Sequence, residues 1–144
     1  MLPPSVAVFN SNDDMVEILR MALEAQGFVV ASGHVAAIKR GELNLPAFLA
    51  LHRPDVVIYD LTPPYEQTWN LLQRLQSDGG PLSGYAVLLT TTNPRRVEEI
   101  LGVKDALEVI GKPYDLNAIV GAVRRLTDRT PEAGPALGNP FARP

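Results

Sequence analysis

Arg53-Pro54-Asp55-Val56-Val57-Ile58-Tyr59-Asp60-Leu61-Thr62-Pro63-Pro64 is a continuous apolar run that ends in one acid and a proline-rich turn. Four consecutive large apolar residues, Val56 to Tyr59, bounded by polar residues and proline, read as a strand buried on both faces, the usual signature of the centre of a parallel sheet. In an open α/β sheet, ligands and chemistry sit at the carboxyl ends of the central strands. An acid there either caps a turn or is placed for chemistry. The stretch by itself leaves both readings of Asp60 open, and the rest of the chain has to decide between them.

Upstream, Val6-Ala7-Val8-Phe9 is a short apolar strand, followed by Asn10-Ser11-Asn12-Asp13-Asp14, residues suited to a turn and a helix N-cap. Met15, Ile18, Leu19, Ala22 and Leu23 recur at helical steps from Met15 to Gln26, and Gly27 is the expected stop. Phe28 to Ala31 is a second strand. Between Ser32 and Asn44 neither period holds, so this span reads as a long loop with a helical turn. Leu45 to His52 is a short helix with Pro46 in its first turn.

Downstream, Trp69, Leu71, Leu72 and Leu75 mark a helix ending near Ser77, in which Trp69 reads as packing. Tyr85 to Leu89 is a fourth strand that runs into Thr90-Thr91-Thr92, repeating the apolar-then-polar layout of Asp60. Asn93-Pro94 opens a helix through Val97, Ile100 and Leu101. Leu107 to Ile110 is a fifth strand, followed by Gly111-Lys112-Pro113-Tyr114, and Asp115 caps a last helix carrying Leu116, Ile119, Val120, Val123 and Leu126. The span 128–144 holds four Pro and two Gly with little apolar content, and reads as a disordered tail after a single domain spanning 1–127. Five strands alternating with five helices predict a three-layer α/β/α domain with a parallel sheet and its chemistry at the carboxyl edge.

A chain of 144 residues is one ordinary domain. It has no Cys, which excludes disulfides, thiol nucleophiles and Cys metal clusters and agrees with a cytoplasmic location. No apolar run approaches the roughly 20 residues of a membrane span. A net charge of −3 argues against sequence-independent binding to nucleic acid, which rests on clustered Lys and Arg. His34 and His52 stand too far from other candidate ligands to suggest a metal site or a triad.

Asp60, Thr90 and Lys112-Pro113 follow strands three, four and five, and Pro64 stands four past the acid. With the alternating pattern, these residues resemble the receiver domain of two-component response regulators over about Val6 to Leu126. The resemblance implies a flavodoxin-like receiver fold with a five-stranded parallel sheet of order 2-1-3-4-5. It implies Asp60 as the phosphoacceptor, attacking the phosphoryl group of a histidine kinase's phosphohistidine. Thr90 would be the switch residue and hydroxyl donor. Lys112 would be a compact cation that neutralises the phosphoryl group, aimed inward by a cis bond to Pro113. The function implied is that of a stand-alone, non-enzymatic receiver in a phosphorelay. It would be served by a histidine kinase or phosphotransfer protein and would act on a downstream protein target.

Two departures qualify that implication. Receivers follow strand one with two adjacent acids that hold Mg²⁺, and here those positions are Asn10 and Ser11. A site reduced to Asp60, the carbonyl of Thr62, Asn10 and Ser11 is expected to bind Mg²⁺ weakly, because the ion prefers charged oxygen ligands. Asp13 and Asp14 belong to the helix start, where acids favour the dipole. Val109 stands where many receivers place an aromatic residue. The alternative is therefore a phosphorylation-deficient pseudo-receiver, an interaction module that signals by binding, for which a homodimer through the last helices is one form. Haloacid-dehalogenase-like phosphatases want a second acid at position 62, which is Thr, and Phe9-Asn10-Ser11-Asn12 has no Gly for a nucleotide or flavin loop.

Overall fold

Strands form where the apolar runs are, and each extends into the polar residues beyond them. The computed structural model describes residues 3–91, 93–101, 108–111 and 116–128. The strands are β1 (Ser5–Asn10), β2 (Val29–His34), β3 (Val56–Leu61), β4 (Ala86–Thr91) and β5 (Glu108–Gly111). All pair in parallel, in the order β2-β1-β3-β4-β5. That is the expected sheet. The chain enters β3 under close control: the Asp55 carboxylate accepts the Ser5 N–H at 2.8 Å and the Asp55 N–H donates to the Ser5 carbonyl at 2.7 Å, which locks the start of β3 against β1.

The helices are α1 (Asp13–Ala25), α2 (Val35–Lys39), α3 (Leu45–His52), α4 (Tyr65–Gln76), α5 (Pro94–Leu101) and α6 (Leu116–Asp128). Alternation along each strand sorts the side chains between two cores. Val6, Val8, Val56, Ile58 and Leu88 pack with Leu19 and Leu23 of α1 and Ile119, Ala122 and Val123 of α6. Ala7, Phe9, Val57, Tyr59, Val87 and Leu89 pack with Val35 and Ile38 of α2, Leu45 and Leu49 of α3, Trp69 and Leu72 of α4, and Val97 of α5. Burying a side chain of this size stabilises by roughly 1.5–3 kcal/mol, so both faces of the sheet are worth covering. Trp69 packs, as its spacing predicts.

The stretch between Ser32 and Asn44 corrects the expectation of a long loop. β2 continues through His34, α2 follows at once, and irregular backbone is confined to 40–44. Gly33 misleads when read as a breaker. A Cβ there would stand 2.8 Å from Leu43 Cδ1 and 3.0 Å from Phe9 Cε1, so the glycine marks a close approach inside a strand. His34 starts the next helix by accepting the Ala36 N–H on Nδ1 at 3.1 Å, and Val35 and Ile38 turn one face into the core. The described helices therefore number six where five were expected.

Other boundaries move by a few residues. α1 begins at Asp13, with the Asn12 side chain accepting the Met15 N–H at 3.0 Å, and Gly27 follows its C-cap with φ 94°. α4 begins at Tyr65. Asp128, assigned to the tail by composition, is the last residue of α6, and 129–144 lie outside the described residues.

Candidate functional site

Asp60 and Thr90 are register partners on β3 and β4. Both continue the alternation of Ile58 and Leu88, which places them on the α1/α6 side of the sheet. Asp60 is 4% exposed and Thr90 is fully buried, and the Thr90 hydroxyl donates to Asp60 Oδ1 at 2.7 Å. Neither residue lies in a turn: β3 runs on through Leu61 and β4 through Thr91, so the turn-capping reading of Asp60 falls away.

Asn10 ends β1 on the same side, continuing Val6 and Val8. The last register pair between β1 and β3 is Phe9 with Tyr59, so Asn10 occupies the next position, beside Asp60. It is 2% exposed. Its Oδ1 accepts the Asn12 N–H at 2.9 Å, and this fixes the orientation of the amide, since the reverse would set two N–H groups against each other. The Nδ2 group is buried with no hydrogen-bond partner among the described residues. Ser11 is exposed in the bend that follows, so of the two positions where receivers carry acids, Asn10 alone is held in the buried row.

Thr62 lies just past β3, and its carbonyl accepts the Thr68 hydroxyl at 2.9 Å; the same hydroxyl is 3.0 Å from the Pro64 carbonyl. That carbonyl is therefore engaged in starting α4. Thr91, which the sequence did not single out, is buried and accepts the Asn93 N–H on Oγ1 at 3.2 Å, closing the turn into α5. Tyr59, also missed, carries a buried hydroxyl without a partner on the opposite side of the sheet. Burial, and then the neighbouring Asp60 charge, push its pKa up to about 12. Its signal was available: a phenol inside an all-apolar strand has nowhere to place its proton.

Lys112, Pro113 and the cis bond expected between them lie outside the described residues, as does the Val109 side chain. Among the described residues the cis peptide bond is Pro63-Pro64.

The described residues at this edge fit Mg²⁺ poorly. The described residues contain no group of three or more His, Asp or Glu placed to hold a metal. Of the oxygen donors expected, Asp60 is the single carboxylate, the Thr62 carbonyl and Asn10 Oδ1 each already accept a hydrogen bond, Ser11 is exposed, and the remaining polar group of Asn10 is an N–H donor. A hard dication requires oxygen lone pairs in near-octahedral array, and an NH₂ group offers none.

The fold and this edge define a doubly wound α/β domain with a buried acid at the carboxyl end of its central strand. No family model and no curated protein matches the chain. Solved structures do. It is similar to a response regulator from Thermotoga maritima, at 25% identity, covering 88% of this chain and 99% of that one with a TM-score of 0.64. It is also similar to a transiently phosphorylated switch of bacterial signal transduction (21%, 89% and 97%, TM-score 0.66) and to a sensor protein from Polaromonas sp. JS666 (22%, 87% and 96%, TM-score 0.63). The chain has the flavodoxin-like receiver fold of two-component response regulators. No helix among the described residues is long and apolar enough to cross a membrane.

Proposed function

We propose that this chain is a signalling receiver that accepts a phosphoryl group on Asp60 and passes the change to a protein partner. The observation that carries the reading is the buried Asp60–Thr90 pair, a carboxylic nucleophile with a hydroxyl donor already seated against it. The donor is a phosphohistidine of a kinase or phosphotransfer protein. An Asp60 oxygen attacks phosphorus and forms the O–P bond. The P–N bond breaks, and its electron pair stays on the imidazole nitrogen, which takes a proton from water. The product is an acyl phosphate. Bringing a carboxylate to an anionic phosphoryl group requires nearby donors and positive charge. Thr90 supplies the first, and the second is the role that the receiver resemblance implies for Lys112. This is modification of the chain itself, with no substrate turned over.

A second reading, a pseudo-receiver that signals by binding alone, is favoured by one observation. The Thr90 hydroxyl is turned onto Asp60 in the unmodified chain, so the movement of a switch residue toward a phosphoryl group has little left to accomplish. Incubation with acetyl phosphate followed by intact-mass measurement separates the two. A phosphate-sized increase that is lost in Asp60→Asn supports the acceptor reading; no adduct with either acetyl phosphate or a phosphohistidine protein supports the binding module.

A further inference from the structure

Among the described residues at this edge, the orphaned amide of Asn10 is the buried polar group that neither the fold nor the hydrogen-bond pattern accounts for. Leaving a buried donor unmade is costly, and such groups cluster where a ligand completes them. Asn10 shares the side of the sheet with Asp60 and Thr90 and stands at the adjoining register position, yet its Nδ2 does not donate to the Asp60 carboxylate. A phosphoryl group on Asp60 brings three strong acceptor oxygens beyond the carboxylate. The Asn12 N–H holds the amide by Oδ1, which leaves the buried Nδ2 as the end of the side chain with a bond still to give.

We infer that the Asn10 amide N–H₂ takes the place of a divalent cation, donating to a phosphoryl oxygen so that modification of Asp60 proceeds without metal. The inference rests on the reading of Asp60 as acceptor. The amide is a neutral donor fixed before the reaction, and needs no reorganisation when charge arrives. It also accounts for the pairing of Asn10 with an exposed Ser11: a site that dispenses with the ion has no use for a second carboxylate at that bend.

The test uses the full chain with acetyl phosphate in two arms, one with excess Mg²⁺ and one with chelator, read by intact mass. The native chain forms adduct at the same rate in both arms. Asn10→Asp keeps an oxygen that accepts the Asn12 N–H, removes the N–H₂ donor and adds a carboxylate charge that can hold Mg²⁺. It slows the chelator arm by about 100-fold, the loss typical of one oxyanion donor, and Mg²⁺ restores the rate. A second readout does not depend on rate. The Asn10 side-chain N–H₂ resonances shift when the native chain is modified and stay in place in Asp60→Asn given the same donor. Adduct that forms in the native chain only with Mg²⁺ overturns the inference and leaves Asp60 as acceptor. No adduct in either arm, and none with a phosphohistidine protein, overturns both.

Discussion

The Thr90 hydroxyl lies 2.7 Å from Asp60 Oδ1, donated across a register pair of adjacent parallel strands with both side chains buried. The distance is in the centre of the range for an O–H···O bond. Because the two residues are held by strand backbone on both sides, the hydroxyl is aimed by the sheet and not by a loop.

Thr90→Val keeps the shape of the side chain and deletes the donor. It is expected to slow adduct formation on Asp60 by about 100-fold. It should also lower the unfolding free energy by about 1–3 kcal/mol, since a buried oxygen loses a partner. Thr90→Ser, which restores the hydroxyl, should recover the rate. Intact-mass time courses and urea unfolding check the two effects separately.

Tyr59→Phe is expected to raise stability at neutral pH by about 1 kcal/mol, because the phenol hydroxyl is buried without a partner and its removal relieves an unmade hydrogen bond. The advantage of the phenylalanine grows at high pH. The folded pKa of about 12 lies above the ordinary 10.0, so the unfolded chain loses this proton first. The native chain's stability from this group is level below pH 10 and falls as pH rises from 10 to 12, by about 2–3 kcal/mol at the upper end. Tyr59→Phe removes that slope. Urea midpoints of the two chains between pH 8 and about 12, compared as a difference, measure it.

Gly33→Ala should destabilise by about 1–3 kcal/mol, the cost of overpacking. The added methyl meets the Leu43 side chain at 2.8 Å and the Phe9 ring at 3.0 Å, and Phe9 is itself wedged against Phe48 and Tyr59. The companion Gly33→Ala/Leu43→Ala chain frees the nearest clash, so its two effects should combine to less than their sum in thermal unfolding.

The strands were legible because parallel strands covered on both faces are apolar throughout, and Val56–Tyr59 and Val87–Leu89 carry that pattern. Their ends were not. Asp60, Thr90 and the residues from Ser32 to His34 pair with neighbours as well as any valine, and a polar side chain says nothing about where backbone pairing stops. The stretch after Ser32 was misread because glycine has two meanings, breaking a chain or admitting a neighbour, and only the packing of Phe9 and Leu43 decides between them. At the site, Asp60 and Thr90 were singled out by the receiver resemblance that they carry together with Lys112-Pro113. The missing acids at Asn10 and Ser11 were equally plain. What composition could not show is which atom of Asn10 is occupied, because that depends on the Asn12 N–H two residues along.

The cover that α6 places over one face of the sheet bears on how the chain is born. Ile119, Ala122 and Val123 close the layer over Val6, Val8, Val56, Ile58 and Leu88, so the side holding Asp60 stays open on the ribosome until the final described helix emerges. A nascent chain stalled ahead of Leu116 would present the part of that layer that α1 does not cover to chaperones and to its own siblings.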